Sequence, residues 1–240
     1  MTQRATPGSH ARRAALALVV AAALASPLPA HAGAQVEEQL AASVVAGLQR
    51  SIADNPPTRH YENEPEVRAW ITDMSPRLAR RIPDPGERRD LLAAVSYEAQ
   101  RAGLDRQLVL GLMHHESNFR KYAVSSAGAR GYMQVMPFWL RLIGTPDQNL
   151  FQLRTNLRYG CTILRYYLDA EKGDLFRALG RYNGSLGQRD YPAAVIAAEN
   201  LYKPAATVAA VHTAAATAFA NPLADPLANP STGPASDPAN

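Results

Sequence analysis

Apolar side chains recur every three or four positions along most of this chain, which is the spacing of one face of an α-helix. In the N-terminal third, this spacing predicts a helix within residues 35–53, ahead of Pro56 and Pro57. A shorter helix is predicted over 65–78, between segments rich in proline and charge. We interpret residues 33–85 as an N-terminal helical extension of the domain that follows.

Helical spacing is nearly continuous over residues 86–203. Asp105 and Asp174 are predicted N-caps, because a short carboxylate accepts hydrogen bonds from the free N–H groups of a first helical turn. Gly103 and Gly144 stand where helices are expected to end. The predicted helices of this region cover about 91–102, 106–116, 137–143, 155–168, 174–179 and 192–202. No run alternates apolar and polar residues as a half-buried strand does, so we predict an all-α fold.

The two ends of the chain have other patterns. Residues 1–32 begin with arginines, continue through about a dozen apolar residues and end in Ala30-His31-Ala32, which is the order of a secretory signal peptide. We expect cleavage near Ala32 and a periplasmic or secreted protein without stable membrane insertion. In residues 204–240, proline falls at every fourth position from 222 to 238, so we predict a disordered tail.

Composition narrows the classes of function. The 240-residue chain has a formal net charge of +4, but Arg4, Arg12 and Arg13 contribute +3 of it ahead of the predicted cleavage site. The remainder is nearly neutral, which gives no reason to expect a nucleic acid as partner. The single Cys161 excludes an intrachain disulfide and a cysteine-based zinc cluster, and we interpret it as a small apolar residue on a buried helix face.

Candidate chemistry is concentrated between residues 114 and 137. Glu116 falls at the end of an apolar helix, where burial raises the pKa of a carboxyl group and keeps it protonated as a general acid. A loop of small residues follows, in which Gly128 and Gly131 allow the backbone to approach a ligand closely. On this pattern alone, an ordinary surface acid is an equally good interpretation of Glu116.

Two competing motifs are incomplete. His115-Glu116 starts like a zinc-protease helix, but Phe119 occupies the position of the second histidine. Ser185 lacks the glycine that a nucleophile elbow has two positions before its serine, since Asn183 stands there.

The region around Glu116 resembles the soluble lytic transglycosylases, a family with a goose-type lysozyme fold. The family pattern is Glu-Ser followed by Ser-x-x-Gly-Ala-x-Gly-Leu-Met-Gln-x-Met-Pro, and it is matched by Glu116-Ser117 and residues 125–137. Residues 156–168, 181–185 and 191–195 resemble three further family segments in the same order. The chain departs from the pattern at Tyr132, where the family has leucine, and at Gly184-Ser185, where it has Ala-Gly.

The resemblance implies a helical, lysozyme-like domain with a substrate groove, acting on peptidoglycan without metal or cofactor. It implies that Glu116 cleaves the β-1,4 bond between N-acetylmuramic acid and N-acetylglucosamine and leaves a 1,6-anhydromuramic product. The substrate-binding residues that it implies are Ser117, Ser125, Met133, Gln134, Met136, Tyr182 and Asn183. Alternative roles are capping for Ser117 and core packing for Met136 and Tyr182.

Other functions stay open at this point. The same fold supports a lysozyme-type hydrolase, in which water replaces the muramic C6 hydroxyl, and an inactive wall-binding module. Glycan strands of peptidoglycan are the expected partner. A cell-envelope or secretion assembly is compatible with the small size of the chain, and nucleic acid is not expected.

Overall fold

The computed structural model describes residues 35–53 and 64–204, and these contain eight α-helices. They are α1 (Ala42–Ala53), α2 (Pro65–Leu78), α3 (Pro85–Arg101), α4 (Arg106–Ser117), α5 (Phe138–Ile143), α6 (Leu153–Ala170), α7 (Leu175–Asn183) and α8 (Asp190–Asn200). Over the described residues, extended pairing is confined to two isolated antiparallel bridges, Val124 with Arg130 and Arg130 with Val135. The predicted all-α fold is confirmed.

The helix starts follow the capping rule applied to the sequence. The Asp105 carboxylate accepts hydrogen bonds from the N–H groups of Gln107 at 2.6 Å and Leu108 at 3.3 Å. Asp174 caps α7 in the same way through the N–H of Arg177. Each cap satisfies backbone donors that have no partner within the helix. These two predictions are confirmed.

Helix α4 runs through the core, and Glu116 lies in its last turn. Val109, Leu110, Leu112 and Met113 are fully buried, so apolar side chains surround this helix rather than lining one stripe of it. Helix α8 packs directly against α4 at Gly111, where an added Cβ would lie 2.6 Å from the Glu199 backbone. This close approach brings the first turn of α8 within reach of the end of α4.

The N-terminal helices α1 and α2 share the core of the later helices. Helix α1 packs against α5 and α6, and α2 packs against α3. Their buried contributions are Leu48, Ile52, Trp70, Met74 and Leu78. The boundary predicted near residue 85 therefore does not coincide with a break in the packing.

A buried cluster of charged side chains is hydrogen-bonded to the C-terminal end of α1. The Glu98 carboxylate accepts from Arg158 and Arg101, each at 2.8 Å. These guanidinium groups also donate to the carbonyls of Ile52 and Ser51 at the end of α1. Because the charges are paired and hydrogen-bonded, their burial among apolar side chains is tolerated.

The sequence placed one helix start too early. Apolar spacing predicted helix within 35–53, but α1 begins at Ala42 and residues 35–41 are not helical. In this segment, the side chains of Gln35, Glu37 and Glu38 bind residues far along the chain. These contacts hold the segment in a non-helical conformation against the domain.

Other predictions fall outside the described residues. These are the signal peptide over 1–32 and all of the predicted disordered tail except residue 204. Among the helices that the structure describes, none is long and apolar enough to cross a bilayer.

Candidate active site

Glu116 is a buried carboxyl group held by a tyrosine. It occupies the last turn of α4, and only 6% of its surface is exposed. Its Oε1 accepts a hydrogen bond from the hydroxyl of Tyr191, in the first turn of α8. Its Oε2 is buried and has no hydrogen-bond partner among the described residues. Oε1 of Glu116 is thus held by a hydrogen bond, whereas Oε2 makes none within the described residues.

This environment keeps the acid neutral. Burial raises the pKa of Glu116 to about 8, and the hydrogen bond from Tyr191 opposes part of that rise. Within the described part of the chain, the pKa of Glu116 is set by burial and by Tyr191, and not by a second carboxylate. Burial also raises the pKa of Tyr191 well above its usual value, so its hydroxyl remains a donor. Since that donor points at Oε1, the acidic proton belongs on Oε2.

Helix α4 ends in a tight reversal. Asn118 and Phe119 both have positive φ, 50° and 63°, which non-glycine residues rarely adopt. The Asn118 side chain accepts from the Arg81 guanidinium at 2.7 Å, and Phe119 is buried. These contacts stabilise a strained turn that sends the chain into the loop beside Glu116.

The loop over 118–137 is held by side chains that the sequence assigned to substrate. The Ser117 hydroxyl lies 2.7 Å from the carbonyl of Tyr132, which ties the loop to α4. The Gln134 amide donates to the carbonyls of Gly131 and Ala123 at 2.9 and 3.2 Å. Ser125 Oγ accepts from the backbone of Ala129 at 3.1 Å. In the structure, these polar groups shape the loop itself.

Helix α6 fixes the same loop from the other side through Asn156. Its Oδ1 accepts from the N–H of Met133 at 2.8 Å. Its Nδ2 donates to the carbonyls of Arg130 and Leu150 at 2.8 and 2.9 Å. Gly131 has a φ of 76° and passes so close that an added Cβ would lie 2.6 Å from the Leu150 carbonyl. Position 131 therefore requires glycine, because its φ is positive and because a side chain would have no room there.

Tyr182 is a fully buried side chain that holds the loop beside Glu116. It lies near the end of α7, and its hydroxyl donates to the carbonyl of Met133 at 2.7 Å. Burial raises the pKa of Tyr182 well above its usual value, and the nearby Glu116 adds to the rise. The Met133 side chain packs on Gly160, where a Cβ would come within 2.8 Å of the Met133 Cβ.

The predicted site residues differ in how far they are exposed to solvent. Ser117, Met133, Gln134, Tyr182 and Asn183 are buried, whereas Ser125 and Met136 are partly exposed. The Asn183 amide donates to the Ser185 hydroxyl at 3.0 Å. Their role in binding substrate stays a prediction.

Sequence reasoning missed the partner of the acid. Tyr191 was noted as part of a closing segment but was given no role, because 75 residues separate it from Glu116. His115 packs edge-on against the Tyr191 ring, with 5.0 Å between ring centroids. His114 instead accepts from Arg81 through Nε2, so its Nδ1–H faces the Tyr202 hydroxyl.

Among the residues that the structure covers, no group of three or more His, Cys, Asp or Glu side chains is arranged to hold a metal ion. Cys161 is buried, and burial raises the pKa of its thiol far above the usual range. It is a packing residue in the α6 face.

Comparisons with known proteins converge on one domain type. Residues 93–194 match the family model of the transglycosylase SLT domain. Membrane-bound lytic murein transglycosylase C of Histophilus somni (strain 2336) is 33% identical over 175 residues, covering 65% of this chain and 46% of the relative. The protein of the same name from Haemophilus influenzae (strain PittEE) is 36% identical over 107 residues, covering 45% and 28%.

This chain spans less than half the length of these relatives. An X-ray structure of an inactive mutant of the lytic transglycosylase Slt from Pseudomonas aeruginosa is also similar, with 19% identity and a TM-score of 0.42. That similarity covers 72% of this chain and 38% of the solved one.

Proposed function

We propose that this chain, whose residues 93–194 belong to the transglycosylase SLT domain family, is a peptidoglycan lytic transglycosylase with Glu116 as its acid and base. The observation that carries the proposal is the state of Glu116. It is buried, burial raises its pKa to about 8, and its Oε2 has no partner among the described residues. A protonated oxygen without a competing acceptor is what protonation of a glycosidic oxygen requires.

The first chemical step is proton transfer from Glu116. The proton on Oε2 passes to the oxygen that bridges N-acetylmuramic acid and N-acetylglucosamine, and the C1–O bond breaks with the electron pair leaving on that oxygen. Positive charge develops at C1 of the muramic ring, and its own N-acetyl oxygen stabilises it, as in substrate-assisted glycosidases. The Tyr191 hydroxyl stabilises the new carboxylate through Oε1.

The second step returns the proton. The Glu116 carboxylate takes the proton of the muramic C6 hydroxyl, whose oxygen forms a bond to C1 and closes the 1,6-anhydro ring. No water is consumed, and Glu116 ends protonated, ready for another turnover. One carboxyl group therefore serves both steps, in agreement with the absence of a second carboxylate from the influences on its pKa in the described part of the chain.

The predicted binding residues divide into two roles in this scheme. Ser125 and Met136 have exposed surface, so we assign them direct contact with the glycan. Ser117, Gln134 and Tyr182 hold the loop backbone, so we assign them the task of keeping its shape. Met133 and Asn183 are buried, so we assign them the shaping of the groove from within the domain.

We place this activity outside the cytoplasm. The signal-peptide pattern of residues 1–32 and the murein named in the relatives both support that location. A cell-envelope or secretion assembly as a further partner stays a prediction.

The test is digestion of purified sacculi with mass spectrometry of the released muropeptides. We expect 1,6-anhydromuramic ends from the native protein. The Glu116→Gln variant keeps the shape of the side chain but loses the transferable proton, so release should fall by about 10²-fold or more. Products heavier by one water would identify a lysozyme-type hydrolase, and no release from either protein would identify a binding module.

A further inference from the structure

The segment ahead of α1 reaches into the site from the N-terminal end of the described chain. Gln35 is only 4% exposed, which is unusual for a glutamine outside any helix. Its Oε1 accepts from the indole Nε1 of Trp139 at 2.9 Å and from the backbone N–H of Met136 at 3.3 Å. Gln35 thus binds the turn that carries a predicted substrate contact.

Two ion pairs extend this attachment. The Glu37 carboxylate lies 3.6 Å from the Arg141 guanidinium on α5, and Glu38 lies 3.1 Å from that of Arg181 on α7. The Glu37 pair is exposed on both sides, and the Glu38 pair is about one-third exposed. Exposed pairs contribute little to stability, so the buried Gln35 contacts are the specific part of the attachment.

The other end of the Gln35 amide faces Tyr182. Its Nε2 is buried without an acceptor in hydrogen-bonding geometry among the described residues. It nevertheless lies close enough to the Tyr182 hydroxyl to oppose part of the rise in that pKa. Tyr182 in turn is near Glu116 and donates to the Met133 carbonyl. The hydrogen bonds of this amide are thus the two that its Oε1 accepts from Met136 and Trp139.

We propose that Gln35 is a positioning residue of the active site: its carbonyl oxygen fixes the turn from Met136 to Trp139. Gln35, rather than the exposed ion pairs that follow it, is then the part of this segment that serves the site. This inference rests on the proposed function. An amide suits the task because its carbonyl oxygen is neutral and can accept both hydrogen bonds.

The test variant is Gln35→Met, which keeps the length of the side chain and removes both hydrogen-bonding groups. Measured on soluble glycan strands with the purified exported protein, kcat should fall about 10-fold or more while KM changes little, since small displacements at a site lower the rate of chemistry. The matched control is Glu37→Gln, two residues away on the same segment, which should leave kcat within about twofold.

Two further measurements distinguish the positioning role of Gln35 from a purely structural one. A purely structural role would lower the melting temperature of Gln35→Met and leave kcat intact well below that temperature. The indole N–H signal of Trp139, followed by NMR, should shift in Gln35→Met and stay in place in Glu37→Gln, because only the former removes its acceptor. If Gln35→Met does not fold, Gln35→Asn keeps the amide but shortens its reach and should also lower kcat.

Either of two results would overturn the inference: an unchanged Trp139 signal, or a folded Gln35→Met with native kcat. Failure of the proposed function is distinguishable from both. In that case the native protein itself releases no anhydromuropeptides, while the Trp139 signal still reports whether the segment is docked.

Discussion

Two opposing effects set the protonation state of Glu116. Removal from water disfavours the carboxylate, and the Tyr191 hydrogen bond favours it. Burial has the larger effect, and the resulting pKa of about 8 lies above neutral pH. A general acid must hold its proton at the working pH and be able to release it, and this balance meets both conditions.

The pH dependence of activity should follow this pKa. The acid form of Glu116 starts the reaction, so kcat/KM should be level near neutral pH and fall as pH rises through about 8. A pH–rate profile on soluble glycan strands measures it. A falling limb near pH 4–5 would contradict the assignment, because it would indicate an acid with an ordinary pKa.

Stability should respond to the same group. The folded protein keeps the Glu116 proton at pH values where the unfolded chain has lost it, so stability contributed by this group decreases as pH rises from about 4.5 to about 8. Glu116→Gln removes the dependence. Its free energy of unfolding should exceed that of the native protein by about 1 kcal/mol or more at pH 7 and by less at pH 5, as measured by urea unfolding.

Tyr191→Phe tests the partner of the acid. The ring keeps its packing against His115, but Glu116 loses the group that lowers its pKa and fixes Oε1. We expect kcat to fall by about 10-fold or more and the falling limb of the pH profile to move to higher pH. Tyr202→Phe is a control, since its hydroxyl faces His114 instead. A lower kcat with an unmoved limb would show that Tyr191 does not act through Glu116.

The sequence indicated Glu116 as a candidate acid but did not predict its surroundings, for a physical reason. Glu116 stands in a continuous motif, so the family resemblance could be read from neighbouring residues, and its catalytic role stays a prediction. Tyr191 and Gln35 reach the site through contacts spanning 75 and about 100 residues, which depend on how helices pack. The match of residues 93–194 to the SLT domain confirms the family resemblance.

At the scale of elements, helix α6 and the loop before α5 behave as one unit. Asn156 joins them with three hydrogen bonds to backbone groups, at Met133, Arg130 and Leu150. Its side chain is fully buried, so water does not replace these bonds when they are lost. The geometry of the loop beside Glu116 therefore depends on a residue that need not touch substrate.

Asn156→Leu should destabilise the protein strongly. The buried N–H of Met133 and carbonyl of Leu150 would lose their partners, at about 1–3 kcal/mol each, whereas the Arg130 carbonyl keeps the Val135 N–H; we therefore expect a loss of at least about 2 kcal/mol in the free energy of unfolding. Thermal and urea unfolding measure it. Thr155→Ala, one position earlier, removes an exposed contact to Gln152 and should change stability by less than about 0.5 kcal/mol. Equal effects in the two variants would contradict the role of Asn156.

Element boundaries were predictable where local chemistry sets them. Helix α2 was predicted over 65–78 and is Pro65–Leu78, and both predicted aspartate caps are present. The start of α1 was wrong because apolar spacing continues from Val36 through Leu40, although the chain there is held by partners at Trp139, Arg141 and Arg181. Tertiary contacts override local periodicity in that segment.

At the scale of the whole molecule, one core includes α1, α2 and the helices of the SLT domain. The core is closed at its C-terminal end by Tyr202, which is buried against His114 and Phe119. The Arg77 guanidinium also donates to the carbonyls of Leu201 and Lys203, just after α8. These contacts hold the chain against the domain just after α8.

Removal of residues 205–240 should leave both stability and activity on soluble glycan strands unchanged. The segment has prolines at every fourth position from 222 to 238 and little apolar pattern, so it cannot supply a packed core. We expect a melting temperature within about 2 °C of the full chain and an unchanged kcat. Tyr202→Ala is the contrasting variant, because truncating a buried aromatic costs about 3–5 kcal/mol and should lower the melting temperature clearly. A comparable drop on removing 205–240 would show that the alanine-rich stretch before residue 221 docks on the domain.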